Sequence, residues 1–299
     1  MTTLRRGLVL AGAVMLVLGS CNIALGFTKG NLLITNDKTD SGVCEFTPAG
    51  KLVQQLRVPL IDKGTAGKER RGLAVDGKGR LHIFNGTWQP YLSTYDPASG
   101  WSHHRIPGWT TANNTKGGGL AVLGDYVFVT DVATYCAPDD PFKFRGLIRF
   151  DTGSWRAIRF ESGIDFSTLC MGLDGLLYAK GNSDFIIYVY NPISLAKVKE
   201  IKLAQAVSCI AVDSQHRLYG ADQNKVYRFG PSGTVEAALS IPDGAQGFHF
   251  TAQGIALSRT GMLAVKSWSI NKIVIVTDTS LAKYTYFYTE ASGLITFVD

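Results

Sequence analysis

The sequence predicts an all-β chain folded as a six-bladed β-propeller, and three observations carry that expectation. A small residue, a short apolar run, a turn and a second short strand recur together along the chain. A strand ending in an aromatic residue and a Pro, Gly, Asp or Asn turn recurs at a fixed place after them, with Val276 replacing the aromatic in the last copy. The two chain ends hold complementary halves of one further copy. Self-similarity at a period of roughly 20–50 residues is the signature of solenoids and propellers, and short strands with turn chemistry select the propeller.

The internal copies, in order, are Gly72–Asp76 with Arg80–Asn85, Gly119–Val122 with Asp125–Asp131, and Cys170–Asp174 with Leu176–Lys180. Cys209–Asp213 with Arg217–Asp222 and Gly254–Leu257 with Gly261–Lys266 complete them. This alignment gives Cys170 and Cys209 the position held elsewhere by Gly72, Gly119, Gly254 and Gly293, one that wants a small residue. Third strands read Cys44–Pro48, Ser93–Pro97, Ile148–Thr152, Tyr188–Pro192, Tyr227–Pro231 and Val274–Asp278. Alternating apolar and polar residues followed by turn formers are strand-and-turn chemistry. At the start, Asn31–Asp37 looks like a second strand with no inner strand before it, and Gly293–Asp299 looks like an inner strand with no second strand after it. Joined, they make the sixth blade and remove sheet edges that would template aggregation.

Residues 1–26 read as a targeting segment and 27–299 as the propeller. Arg5 and Arg6 form a positive start, and Gly7 to Leu18 is apolar but short for a membrane span. Two exits fit: Leu18-Gly19-Ser20-Cys21 resembles a lipobox, with Cys21 lipidated, and Ala24-Leu25-Gly26 suits cleavage before Phe27. An uncleaved anchor is the third reading, and all three imply export to the periplasm, the outer membrane or the exterior; the partner expectation is membrane contact only through a lipid at Cys21. The formal charge of +6 includes Arg5 and Arg6, and no long run of like charge occurs, so nucleic acid is not an expected partner. Cys44, Cys136, Cys170 and Cys209 could pair in an oxidising compartment, while the lack of a C-x-x-C spacing leaves a zinc site unsupported.

The stretches Gly72-Leu73-Ala74-Val75-Asp76-Gly77-Lys78-Gly79-Arg80-Leu81 and Cys209-Ile210-Ala211-Val212-Asp213-Ser214-Gln215-His216-Arg217-Leu218 resemble NHL-type repeats. They are similar to the six-bladed group that includes gluconolactonase-like enzymes and streptogramin-lyase-like proteins. The likeness covers about residues 31–299 and specifies blades, not a reaction.

By analogy with other propellers, ligands are expected at the mouth where inner strands start and second strands end. The residues expected there are Asn36, Asp37, Arg71, Asn85, Asp131, Lys180, Asp222 and Lys266. Trp88, Trp109 and Tyr135 stand in connections on the same side and would suit stacking on a sugar or other flat ligand, and His249 is the one well-placed histidine. The leading expectation is a binding or interaction module for a small polar or glycan ligand or a protein segment, with no cofactor. The rival is a metal-assisted hydrolase or lyase, with Asp131, Asp222, Asn85 and His249 around a divalent cation such as calcium. Its weakness is that the first blade supplies no clear glutamate. Serine-nucleophile and phosphate-loop motifs are absent from the sequence.

Overall fold

The computed structural model describes residues 26–36, 42–59, 61, 70–85, 91–105, 118–131, 146–161, 164, 166–182, 184–222, 225–240, 254–266, 273–291 and 293–299, without the side chains of Arg71, Asp131 and Ile273. Its strands form six four-stranded antiparallel sheets. Blade 1 contains β1 (Leu32–Asn36), β2 (Gly42–Phe46) and β3 (Leu52–Leu56). Blade 2 is β4 (Arg70–Val75), β5 (Leu81–Asn85), β6 (Tyr91–Asp96) and β7 (Gly100–Arg105). Blade 3 is β8 (Gly119–Leu123), β9 (Tyr126–Asp131), β10 (Gly146–Asp151) and β11 (Ala157–Glu161). Blade 4 is β12 (Phe166–Met171), β13 (Leu177–Gly181), β14 (Ile186–Tyr190) and β15 (Lys197–Lys202). Blade 5 is β16 (Cys209–Val212), β17 (Leu218–Asp222), β18 (Lys225–Phe229) and β19 (Val235–Ser240). Blade 6 is β20 (Ile255–Leu257), β21 (Met262–Lys266), β22 (Ile273–Asp278) and β23 (Tyr284–Tyr288). The last strand, β24 (Ile295–Phe297), is the inner strand of blade 1.

The ring closes as the sequence predicts. Leu32 pairs with Phe297 and Ile34 with Ile295. Backbone bonds extend the seam beyond the strands, from Gly30 N to Val298 O (2.6 Å) and from Gly293 N to Thr35 O (2.9 Å).

The core lies between blades. Because successive strand residues point to opposite sheet faces, each second strand buries one set of residues against the previous blade and the other against the next. In β13, Leu177 and Ala179 pack with Phe128 and Leu169 of neighbouring strands, whereas Tyr178 packs with Ile210 and Leu218 of blade 5. Burial on both faces is why β1, β5 and β13 are buried at every residue, including the polar Thr35, His82 and Lys180.

The small-residue position has a steric cause. A Cβ on Gly72 would stand 2.4 Å from Leu120 Cβ, and one on Gly119 would stand 2.3 Å from Leu169 N. The inner strands of blades 2 and 3, and of blades 3 and 4, approach too closely there for a Cβ.

Strand register corrects the alignment of blade 4. Cys209 pairs with Ala221, but the residue paired at the equivalent level of blade 4 is Thr168, opposite Lys180. Cys170 pairs with Tyr178 and so matches Ala211, which pairs with Tyr219. Matching cysteine to cysteine slid this copy by two residues, a shift that preserves the alternation of faces and therefore leaves the apolar pattern intact. Cys44, Cys170 and Cys209 are free thiols; Cys21 and Cys136 lie outside the described residues.

The repeated aspartates are structural. Asp76 Oδ1 accepts from Lys78 N and Arg80 N, and Oδ2 accepts from Arg80 Nε (2.7 Å) and His82 Nε2 (3.0 Å). Asp213 repeats the pattern with Gln215 N, Arg217 N, Arg217 Nε and Tyr219 OH. An Asx turn plus a salt bridge thus pins the first-to-second strand turn.

Candidate functional site

Inner strands all run toward one face and second strands return from it, so the ring has a turn face and a loop face. On the turn face the connections are short, as in residues 76–80, 124–125 and 213–217. The long connections, residues 57–69, 106–118, 132–145 and 241–254, all depart from the opposite face. Binding residues concentrate on loops carried by a rigid scaffold, which makes this loop face the candidate site.

Around its mouth the second strands end in two distinct rings. Asn36, Asn85, Asp131 and Asp222 close the strands they belong to, while Lys180, opposite Thr168, sits at the level of Phe84, Thr130 and Ala221. Lys266, whose N donates to Gly254 O (2.7 Å), shares that level. The single ring of mouth residues expected from the sequence is therefore two rings on opposite sheet faces, because adjacent strand residues diverge.

Between blades 1 and 2 the mouth is polar and buried. Asn85 is 1% exposed; its Nδ2 donates to Ser93 Oγ (3.1 Å), and Ser93 Oγ meets His103 Nδ1 at 2.9 Å. Asn85 Oδ1 is buried with no hydrogen-bond partner. Opposite Asn85 in the ladder stands Arg70, whose Nη1 donates to Asn36 O (2.7 Å). The ladder bulges between Arg70 and Gly72, so Arg71 is the extra residue. The sequence singles out Arg71, whose backbone is on β4 and whose side chain lies outside the described residues; Arg70 beside it, which the sequence does not single out, places its guanidinium on Asn36 O. A bulge leaves no mark in an apolar pattern, so its position had no signal.

Between blades 4 and 5, Lys180 is 6% exposed and its Nζ donates to Gly181 O (2.6 Å) and Asp184 O (3.3 Å). Burial lowers its pKa, opposed by the carboxylates of Asp184 and Asp222. Asp222 is half-buried at the end of β17. Lys266, between blades 6 and 1, is 1% exposed. The expected residues Trp88, Trp109, Tyr135 and His249 lie outside the described residues, as do Asp37 and the side chains of Arg71 and Asp131. Among the described residues, no group of three His, Cys, Asp or Glu side chains could hold a metal ion.

The channel itself contains a cavity of about 590 Å³, lined from all six inner strands. Its lining runs from Leu73, Leu120, Leu169, Ile210, Ile255 and Ile295 to Gly77, Ser214, Arg259 and Asp299 on the turn face. Its described lining thus reaches the turn face, the end of the channel where the sequence predicts no site.

No protein-family profile matches the chain, and no curated protein matches it. Solved structures do resemble it. A streptogramin B lyase superposes with a TM-score of 0.59 at 15% identity, covering 90% of this chain and 87% of the other. A chain of a nidogen/laminin complex superposes with a TM-score of 0.65 at 15% identity, over 90% and 98%. Apo AztD from Citrobacter koseri gives 0.53 at 10% identity, over 89% and 96%. At such identities the likeness is one of fold: the chain is a six-bladed propeller similar to structures of a lyase and of proteins with other functions.

Proposed function

We propose that the protein is a binding module whose ligand sits at the loop-face mouth, with Asn85 as a buried hydrogen-bond acceptor. The observation that carries this reading is Asn85 Oδ1, buried and without a donor at the rim of that mouth. A buried acceptor left unsatisfied costs about 1–3 kcal/mol, so a ligand O–H or N–H reaching it recovers that energy. Neutral sugars and peptide backbones carry such donors. Trp88, Trp109 and Tyr135 would supply stacking surface, and Arg71, Asp131, Asp222 and His249 further polar contacts. The structural neighbours are compatible with either ligand class: one is named for an antibiotic it acts on, another for a protein complex.

We further propose that the domain works outside the cytoplasm, delivered by residues 1–26. Phe27 packs edge-on against Tyr95 (6.0 Å), and Thr28 N donates to Glu45 Oε1 (2.8 Å), which holds the entering chain at the turn face. An anchor at Cys21, six residues earlier and so within about 20 Å of chain reach, would leave the loop mouth pointing away from the membrane. Intact mass of the protein made in a bacterial host distinguishes a diacylated Cys21, a Phe27 start and an uncleaved anchor, and recovery of the protein in the cytoplasmic fraction refutes export.

Binding is tested on a panel of immobilised neutral oligosaccharides and extended peptides. A saturable hit from the wild-type protein, weakened at least tenfold by Asn85→Leu and by Trp109→Ala, is the expected result. Binding that survives both changes in folded protein would move the site elsewhere.

A further inference from the structure

Each blade ends in an outermost strand whose outer side is a sheet edge. A bare edge presents a row of N–H and C=O groups that recruits another strand, and proteins blunt such edges with bulges or charge. In blades 1, 3, 4 and 5 the outermost strand carries a bulge, with Val53, Phe160, Val198 and Glu236 as the extra residues. In blade 2, β7 pairs regularly with β6 but ends in His103, His104 and Arg105. In blade 6, β23 has neither device. Its five residues, Tyr-Thr-Tyr-Phe-Tyr, hold no charge and no proline, and its register with β22 is unbroken. Among the described residues, no strand other than β22 pairs with it.

The two faces of β23 differ. Thr285 and Phe287 stand opposite Val276 and Val274 and turn toward blade 1, where Phe287 meets Phe46 with ring centroids 5.7 Å apart. Tyr284, Tyr286 and Tyr288 share the opposite face, with Tyr286 across from Ile275 and Tyr284 packed on the core toward blade 5. Tyr286 is nevertheless 53% exposed and Tyr288 65%, the highest value among the described large apolar residues. Tyrosine supplies a large apolar ring with a polar tip, which suits it to a protein interface.

We propose that β23 is a dimerisation edge, occupied by β23 of a second copy of this chain paired antiparallel about Tyr286. Residues directly opposite in an antiparallel pair share a sheet face, so a two-fold axis through the pair requires one residue to face itself. With Tyr286 on the axis, Tyr284 of each copy faces Tyr288 of the other, and Thr285 faces Phe287. One side of the joint is then a continuous tyrosine ladder, and cross-strand aromatic pairs of this kind stabilise a sheet. Sliding the axis to Thr285 sets Lys283 against Phe287, and sliding it to Phe287 sets Tyr284 against Glu290, so the register is specified. The charges at the two ends agree. Exposed Lys283 precedes the strand and exposed Glu290 follows it. Antiparallel pairing brings the basic end of each copy toward the acidic end of the other, whereas parallel pairing would gather like charges.

Sedimentation velocity across a dilution series of the purified protein should show a monomer–dimer equilibrium. Tyr286→Lys, which sets like charges face to face at the axis, should weaken it at least tenfold while leaving the circular dichroism spectrum unchanged. Val198→Lys alters a residue of similar exposure (52%) on the bulged and charged edge of blade 4, and should leave the equilibrium as it is. That control separates strand pairing from non-specific association. Register is read on a milder change. Tyr286→Cys should cross-link to itself with a short bismaleimide beyond the level given by the wild-type thiols. Tyr284→Cys should not, because its two copies stand about 14 Å apart at ~3.4 Å per residue. A monomer at every concentration overturns the proposal, as does a dimer that survives Tyr286→Lys or cross-links equally through both cysteines. Protein that stays monomeric yet binds a fluorescent peptide of residues 283–290 would assign the edge to a different chain, and equally overturns a second copy as its occupant.

Discussion

Gly119→Ala tests the geometry of the ring most directly. The added Cβ would stand 2.3 Å from Leu169 N and 3.0 Å from both Leu169 Cβ and Thr168 C. Comfortable heavy-atom contact begins near ~3.5 Å, so the inner strands of blades 3 and 4 must part by about 1 Å at that level. The atoms in the way are mainly backbone, held by the pairing of Thr168 with Lys180 and Leu169 with Ala179. They cannot swing aside as a side-chain tip could. Overpacking of this kind costs about 1–3 kcal/mol, which at about 2–4 °C per kcal/mol for a larger domain lowers the melting temperature by about 2–12 °C. The matched control is Gly77→Ala in the exposed turn, where a Cβ meets nothing within 4 Å and φ is not positive. That change should be neutral or stabilise by up to about 1 kcal/mol through the unfolded chain. Calorimetry of the two variants decides the matter. Equal melting temperatures would show that glycine at this level is not required by strand approach, and the explanation of the repeat's small residue would fall.

Deleting residues 293–299 removes β24 and leaves β1 with an open edge, so the protein should lose cooperative melting or aggregate on dilution from denaturant; an unchanged melting curve refutes closure as the organising feature. Asp76 is held at about 2: burial pushes its carboxyl up, but hydrogen bonds from His82 and Arg80 and their charge outweigh it. A pKa depressed by folding gives stability above the unfolded value of ~3.9, here about 2 kcal/mol, lost as pH falls from about 4 to 2. Asp76→Asn should flatten urea-unfolding stability over that interval, and an unaltered pH dependence would show the carboxylate to be unimportant there. Elemental analysis of the purified protein is expected to find no stoichiometric divalent cation. One that is present in the wild-type protein and lost in Asp222→Ala would favour metal-assisted hydrolysis over simple binding.

Blade number, strand order and closure were all legible in the residues, because a period-2 pattern buried on both faces and punctuated by Asp, Gly and Pro admits few arrangements. The site was less so. Asn85 was visible as the polar end of an apolar strand; that its Oδ1 is buried without a partner was not. Nor was the bulge between Arg70 and Gly72, since a bulge shifts neighbours without disturbing the pattern on either side.

The sequence alone therefore determined the blades, their count and the joining of head to tail, since these follow from local alternation and turn chemistry repeated along the chain. Only the tertiary structure decided the register of blade 4, the bulge between Arg70 and Gly72 and the cavity lined by the six inner strands. Those depend on how far apart neighbouring strands stand, a distance set by packing between residues remote in the chain and written into no single repeat.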